Sequence, residues 1–305
     1  MTRYLLRRLL SILPVLFAVA TIVFLIIHLI PGDPVDLILG ERALPADRAQ
    51  FAHELKLDQP VVVQYGLFLN GLVTGNWGKS IFNNEPVLEL LKERYGATLV
   101  LACTAMFFAV LIAIPFGILA AVKRNSIWDS IAMLIALIGI SVPNFWLGPV
   151  LVLIFSVHFE WFPISGRESL MSLILPAITL GVALAAMLAR MTRASMIEEL
   201  KSEYVIAARA KGISEKRLVF RHALKNALNP IVTIVGLQIG TLLAGTIITE
   251  KIFSWPGIGS LLLDSIRSRD YPVVEGCVLV ICFAYVIINT LVDCLYKVFD
   301  PRVRL

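Results

Sequence analysis

Charge is what this chain has least of: Asp and Glu number 22 and Lys and Arg 27 among 305 residues, or 16%. Soluble domains carry about 25%. With 58% hydrophobic residues and a mean hydropathy of +0.83, an ordinary solvated surface is excluded and a polytopic membrane protein is indicated. Cysteine and histidine are scarce too, with four of each. Cys103, Cys277, Cys282 and Cys294 lie in apolar runs, without zinc or redox spacing and without a neighbouring His, so they read as small buried residues, not ligands or disulfides. His28, His53, His158 and His222 are scattered along the chain, and His53-Glu54 lacks the second His of a zinc-protease helix. There is no Gly-x-Ser-x-Gly elbow. Gly75-Asn76-Trp77-Gly78-Lys79-Ser80 imitates a phosphate loop, but Val73 stands where its first glycine belongs, so the backbone cannot wrap a phosphate. No catalytic, metal or cofactor constellation remains, and an enzyme is not expected.

The charges that are present are segregated. Uncharged runs occupy 9–32, 96–122, 130–159, 169–189, 226–249 and 276–292. A spanning helix needs about 20 mostly apolar residues, so the fold class expected is an all-α membrane protein of six transmembrane helices. Alternating the connections between the two faces, with the N-terminus inside, assigns 17 of the 27 basic residues but only 7 of the 22 acids to the inner face. This bias puts both termini and the 203–230 connection inside. It also accounts for the pI of about 9.1 without nucleic-acid binding. Arg3, Arg7 and Arg8 ahead of an apolar run suggest a secretory signal, but the run continues to Ile30, too far for an h-region, and reads as an uncleaved first span.

The connection Glu203–Pro230 is the most informative stretch. Met196, Leu200, Tyr204 and Ala207/Ala208 recur at i, i+4, which predicts one helical face. Gly212 suits the left-handed residue after a helix end, with Ile213 folding back as the hydrophobic residue beyond it. Ser214 can cap a second helix whose apolar stripes are Val219, Ala223, Ala227 and Phe220, Leu224, Leu228, with Pro230 at the start of the next span. Periodicity alone leaves a docking platform and a plain cytoplasmic loop equally open.

Ile206-Ala207-Ala208-Arg209-Ala210-Lys211-Gly212 resembles the EAAxxxG motif of ABC importer permeases, the loop that sits in a groove of the ATP-hydrolysing subunit. Ile206 replaces the motif's Glu, and Lys225 stands where the fuller pattern has Pro. Both departures look like the dipeptide/oligopeptide/nickel branch. The resemblance to that branch runs nearly end to end, through Pro31-Gly32-Asp33-Pro34, Leu57-Asp58-Gln59-Pro60, Gln64-Tyr65, Ser141-Val142-Pro143-Asn144-Phe145, Arg190-Met191-Thr192-Arg193-Ala194-Ser195, Phe253-Ser254-Trp255-Pro256-Gly257-Ile258-Gly259, Asp270-Tyr271-Pro272 and the tail Asp300-Pro301-Arg302-Val303-Arg304. It implies a type I importer permease fold, divided as 1–30 (N-terminus and first span), 31–97 (periplasmic segment), 98–297 (core with a coupling loop at 194–229) and 298–305 (tail). It further implies a homologous second permease, two cytoplasmic ATPase subunits that bind ATP and Mg, a periplasmic substrate-binding protein, and the bacterial inner membrane. Coupling would fall to Glu203, Tyr204, Ala207, Ala208, Arg209, Ala210, Lys211 and Gly212. The cargo implied is a short peptide, with glutathione or nickel complexes as alternatives.

Four further features are readable from residue types. Residues 46–56 suggest a short helix, and 61–73 an apolar segment too short to span, lying in the interface with Trp77 as anchor; this outer segment could receive a binding protein or merely cap the bundle. Small residues recur every fourth position at Ala177, Gly181, Ala185, Ala189 and at Gly236, Gly240, Ala244, which allows close helix approach. Polar residues within spans mark a pathway or hydrogen bonds between helices, and Asn144 and Gln238 are the candidates; Asn289 and Asp293 sit one turn apart, with Asp293 placed to pair with Lys297. Phe253, Trp255, Pro256, Gly257 and Gly259, ahead of a short helix at 260–266, form either an outer gate or a plain turn. A self-sufficient secondary transporter or channel is the rival class, but the internal repeat and intramembrane acid pairs it calls for are not evident.

Overall fold

The computed structural model describes residues 2–29, 44–54 and 58–299, and its named elements there are all helical, with one isolated antiparallel bridge between Lys79 and Pro86. In chain order they are α1 (Thr2–Leu29), α2 (Pro45–Glu54), α3 (Val61–Thr74), α4 (Val87–Val122), α5 (Ile127–Ser141), α6 (Asn144–Leu151) running into a π-helical stretch (Val152–His158), and a 3-10 turn (Leu170–Leu173) leading into α7 (Ile174–Leu200). Then come α8 (Glu203–Ala210), α9 (Glu215–Arg217) with a second π stretch (Leu218–Ala223), α10 (Leu224–Gly245), α11 (Ile247–Ile252), α12 (Ile258–Ser268) and α13 (Tyr271–Phe299). Four helical segments are long and apolar enough to cross a membrane, or five if the bent pair α5 and α6 is one span. The first span expected from sequence corresponds to α1, whose described apolar part is Ile12–Ile26. The motif at 31–34 and the tail at 300–304 lie outside the described residues.

The chain divides into two compact units: Met1–Thr98 with Pro256–Val286, and Leu99–Trp255 with Ile287–Leu305. In the first, α3 is an apolar helix of 14 residues, about 21 Å long and shorter than a bilayer core. It meets α1 through Phe24, whose ring lies 5.2 Å from Tyr65 and 5.5 Å from Phe68. Thr21 Oγ1 donates to the Phe17 carbonyl at 2.8 Å and lies 2.6 Å from the Tyr65 hydroxyl, which therefore donates to it. The turn between α3 and α4 is clamped by Asp270: its carboxylate accepts from Ser80 Oγ at 2.5 Å and from the Ile81 N–H at 3.2 Å, while Ser80 Oγ accepts from the N–H groups of Phe82 and Asn83. Trp77, expected as an interfacial anchor, is half-buried, and its ring lies 3.7 Å from where a Cβ on Gly276 would stand. His53 Nδ1 and Asp58 Oδ2 pair at 2.7 Å, which raises the imidazole pKa and lowers that of the carboxyl.

The second unit is organised around α7. Its small-residue stripe is buried as expected: a Cβ on Gly181 would come within 3.0 Å of the Ala105 carbonyl oxygen, and Ala177, Ala185 and Ala189 are buried beside it. Gly117 of α4 faces Thr192 and the Ala189 carbonyl, and Gly139 of α5 faces Ala186. Gly236 of α10 lies so close to Val292 of α13 that an added Cβ would meet Cγ2 at 2.3 Å; the Ala244 side chain is outside the described residues. Because the gain from dispersion falls steeply with separation, such backbone approach is what holds apolar helices together in an apolar solvent.

The run 130–159 is not a straight span: α5 and the α6 limb meet at 101°. The cause is Pro143. It has no N–H to continue the helix, and it forces Val142 before it into extended backbone at φ −83°, ψ 118°.

Gly236→Ala is expected to cost on the order of 1–3 kcal/mol through overpacking. Gly96→Ala, where a Cβ on helix α4 meets nothing within 4 Å, is expected to gain about 0.5–1 kcal/mol. Thermal unfolding in detergent separates the two, and equal melting temperatures would refute the tight α10–α13 contact.

Candidate functional site

The 203–230 platform is a helical hairpin. α7 does not continue into it: Lys201 and Ser202 N–H groups turn back to the carbonyls of Glu198 and Glu199 at 3.1 Å, and Ser202 Oγ donates to the Glu199 carbonyl at 2.6 Å. Ser202 is extended (φ −66°, ψ 149°), so α8 starts afresh. Met196 and Leu200 therefore belong to α7 while Tyr204, Ala207 and Ala208 belong to α8, which corrects the single continuous face expected across 196–208. The break arises because a serine side chain competes for a helical carbonyl.

α8 buries Val205 and exposes Glu203, Tyr204, Ile206, Ala207, Arg209 and Ala210, with Ala208 half-buried. Its outward face, Glu203, Ile206, Ala207 and Ala210 at i, i+3, i+4, i+7, is small and apolar at its centre. Its end is a Schellman turn: the Gly212 N–H bonds the Arg209 carbonyl at 3.0 Å and the Ile213 N–H bonds the Ala208 carbonyl at 3.3 Å. Gly212 sits at φ +80° with open space around it, so the demand for glycine comes from the backbone, not from crowding. Arg209 closes the hairpin by a fork of hydrogen bonds to Glu215, 2.5 and 3.1 Å. Lys211 is exposed at its tip.

The return strand of the hairpin differs from expectation. Ser214 precedes α9 in extended backbone but makes no side-chain cap. From Glu215 to Gly245 the chain is helical without interruption, and Pro230 lies inside α10 instead of at its start. Val219, Ala223 and Ala227 bury as the expected stripe, against Ile118, Ala121 and Met196, whereas Phe220 is exposed. The π turn at 218–223 adds a residue per turn, a feature common at functional sites.

Tyr204 ties this platform to both spans that bracket it. Its hydroxyl donates to Glu199 Oε2 of α7 at 2.5 Å and accepts from Asn226 Nδ2 of α10 at 2.9 Å. Burial, then the Glu199 hydrogen bond, raises its pKa, so it stays a donor at neutral pH. Nearby, Asp129 of α5 takes a two-pronged salt bridge from Arg193 of α7, 2.6 and 2.7 Å, and also accepts from the Asn125 N–H at 3.0 Å. No sequence signal joined these residues, which are 64 apart; an acid in the first turn of an apolar helix was the only hint.

The pathway candidates are separate features. Gln238 Nε2 donates to Met187 Sδ of α7 at 2.8 Å, and Gln238 Oε1 accepts from Thr241 Oγ1 at 3.0 Å. Asn144 is half-buried in the first turn of α6, after the bend. Asn289 Oδ1 is buried with no hydrogen-bond partner, while the side chains of Asp293 and Lys297 lie outside the described residues. Of the gate candidates, Phe253 and Trp255 are each 2% exposed. The Phe253 carbonyl accepts from the Gly166 N–H at 2.9 Å, the Trp255 N–H donates to the Glu250 carbonyl at 2.8 Å, and Arg167 lies over the Trp255 ring at 5.6 Å. In the other unit, Pro256 is half-buried, Gly257 and Gly259 are buried, and the Ile258 N–H of α12 donates to Thr98 Oγ1 at 2.9 Å. Among the described residues no group of three or more His, Cys, Asp or Glu could hold a metal.

Long apolar helices packed through glycines, with a structured basic hairpin between two of them, define a helical membrane protein. The chain belongs to the binding-protein-dependent transport system inner membrane components: that family's model matches residues 113–305, and the model of its N-terminal part matches 1–102. It is 43% identical over 332 residues to the dipeptide transport system permease protein DppB of Alkalihalophilus pseudofirmus, covering all of both chains. It is likewise 43% identical to DppB of Escherichia coli K12, covering 100% of this chain and 99% of that one. It is 45% identical over 304 residues to the glutathione transport system permease protein GsiC of Salmonella choleraesuis, again covering 100% and 99%. The fold matches that of a chain in the inward-facing MetNI methionine ABC transporter, with a TM-score of 0.60 at 19% identity over 70% of this chain and 97% of that one. The protein is thus a multi-pass inner-membrane permease with the ABC importer fold.

Asp129→Ala and Arg193→Ala are each expected to destabilise the protein, and a double-mutant cycle to return a coupling of about 1–3 kcal/mol. Additive losses would show that the pair contributes no mutual stabilisation.

Proposed function

We propose that this chain is one of two permease subunits of an ATP-driven importer that carries short peptides inward across the membrane. The observation that carries the reading is the hairpin at Gly212, an exposed platform tied by Tyr204 to the spans on either side of it. One of two cytoplasmic ATPase subunits engages Glu203, Tyr204, Ala207, Ala208, Arg209, Ala210, Lys211 and Gly212, and ATP and Mg are held in those subunits, not in this chain. A homologous permease completes the pathway, and a periplasmic binding protein delivers cargo to the outer face. The chain crosses the membrane six times with both termini inside, in keeping with its basic bias. ATPase closure draws the two platforms together, and α7 and α10 follow as levers, so inward-open and outward-open states exchange; nucleotide shifts that balance only by binding one state more tightly. The peptide assignment is supported by the names of the relatives, and glutathione, itself a short peptide, falls in the same class.

Gly212→Val tests the platform. A β-branched residue at positive φ costs upwards of about 1–2 kcal/mol, so the turn is expected to refold, with peptide uptake and retention of the ATPase subunits in detergent falling at least about tenfold. Gly212→Asn, tolerant of that backbone, should keep most of both; unchanged uptake in the Val variant would count against the assignment. Tyr204→Phe keeps the ring but loses both hydrogen bonds. It is expected to leave ATPase retention intact while lowering peptide carried per ATP hydrolysed, read in proteoliposomes, and an unaltered ratio would show that the bridge transmits nothing.

A further inference from the structure

α10 carries a polar face that does not suit lipid. Gln238 and Thr241 stand one turn apart on it, Gln238 half-buried and Thr241 exposed. Against it on α7 stand Met187, which is exposed and touches Gln238, and Arg190, one turn further on, exposed and with no ion pair among the described residues. A carboxamide in hydrocarbon costs several kcal/mol, so such a residue within a span turns toward water or toward polar cargo, and Arg190 stands where the span meets the inner face.

The hydrogen-bond inventory narrows what that cargo is. A Gln side chain offers two N–H donors and two acceptor positions. One donor of Gln238 goes to the Met187 thioether and one acceptor position to Thr241 Oγ1, which also donates to the Gln238 carbonyl at 2.8 Å. A thioether is a weak acceptor, so the donor it holds is readily surrendered. What remains is a donor and an acceptor side by side on a half-buried carboxamide, the complement of one peptide group. Arg190 lies three residues from Met187 on the same helical face, about 5–6 Å away between Cβ atoms. Its fork geometry suits a carboxylate, and in a dipeptide the terminal carboxylate follows the peptide group within one residue length, about 3.8 Å.

We infer that Gln238, positioned by Met187 and Thr241, contacts the backbone amide of a peptide in transit, and that Arg190 takes its C-terminal carboxylate. Recognition of backbone and terminus would let one pathway pass peptides of differing sequence. This inference rests on the peptide-import reading.

The test is uptake into proteoliposomes holding the complete importer, with the binding protein preloaded and saturating, using labelled dialanine, its N-methyl-amide-bond analogue and its C-terminal amide. Wild type is expected to carry dialanine about three- to tenfold faster than the N-methyl analogue. Gln238→Leu should bring dialanine down to the analogue's rate, and Arg190→Gln should erase the preference over the C-terminal amide. Retention of both preferences in the variants overturns the inference while leaving peptide import standing. So does an equal loss for all three probes accompanied by loss of the second permease from the purified complex, which marks the face as a subunit interface. Failure of wild type to carry any of the three, with the binding protein loaded, removes the peptide-import reading and the inference with it.

Discussion

Everything in the second unit depends on how near helix backbones come to α7. In hydrocarbon there is no hydrophobic gain in bringing one apolar helix to another, so association rests on contacts within van der Waals range and on the few polar groups that pair. Gly181 against the Ala105 carbonyl, Gly117 against Thr192 and Gly139 against Ala186 place α4 and α5 on α7 at the shortest separation that a backbone without Cβ permits. The Asp129–Arg193 bridge adds a directed bond to that packing, joining α5 to α7 near the platform end. A helix held this way on several sides has little freedom to bend, and therefore behaves as a lever.

A lever needs a handle that does not slip. The break at Ser202 is local, and α8 is prevented from swinging about it by three ties of different kinds. Val205 is buried, the Tyr204 hydroxyl is shared between α7 and α10, and the Arg209–Glu215 fork closes the hairpin. The outward face, centred on Ile206 and Ala207, is exposed and free to be covered. Stiffness on the inner side and an open outer side is the arrangement expected of a docking element, and it differs from a solvated loop in having its backbone hydrogen bonds closed by the Schellman turn.

Much of this was legible in the sequence, for identifiable reasons. Apolar runs, the small-residue stripe on α7 and the left-handed glycine each follow from a local rule: length against bilayer thickness, spacing of four, and the absence of a Cβ. The breaks were harder. Pro143 announced itself, but the size of the turn depends on how α6 packs, which no local rule contains. At 201–202 the i, i+4 pattern of Met196, Leu200, Tyr204 and Ala208 ran straight through a point where Ser202 captures a carbonyl, so periodicity joined what hydrogen bonding separates. Pro230 misled in the opposite direction, since its missing N–H is tolerated within α10. The Asp129–Arg193 and Ser80–Asp270 pairs join residues far apart in the chain, and composition carries no record of such partners.

The buried state of Phe253 and Trp255 constrains how an outer gate could work. Exposing two such aromatic side chains would forfeit several kcal/mol of burial, and their backbones are fixed by the Gly166 and Glu250 hydrogen bonds. A gate built here cannot open by flipping rings; it has to travel with the elements that enclose it. Gly148 of α6 lies where a Cβ would touch Ile252 and Phe253 at 3.3 Å, so the α6 limb and the α11 segment form one packed body. Between Ile127 and His158 the α-helical ladder lapses at Val142–Pro143, where the Val142 N–H still reaches the Ile138 carbonyl at 3.1 Å but Pro143 has none to offer. Movement of the α6 body relative to α5 therefore costs least at that joint, where the two limbs meet at 101°, because it breaks no further backbone hydrogen bond.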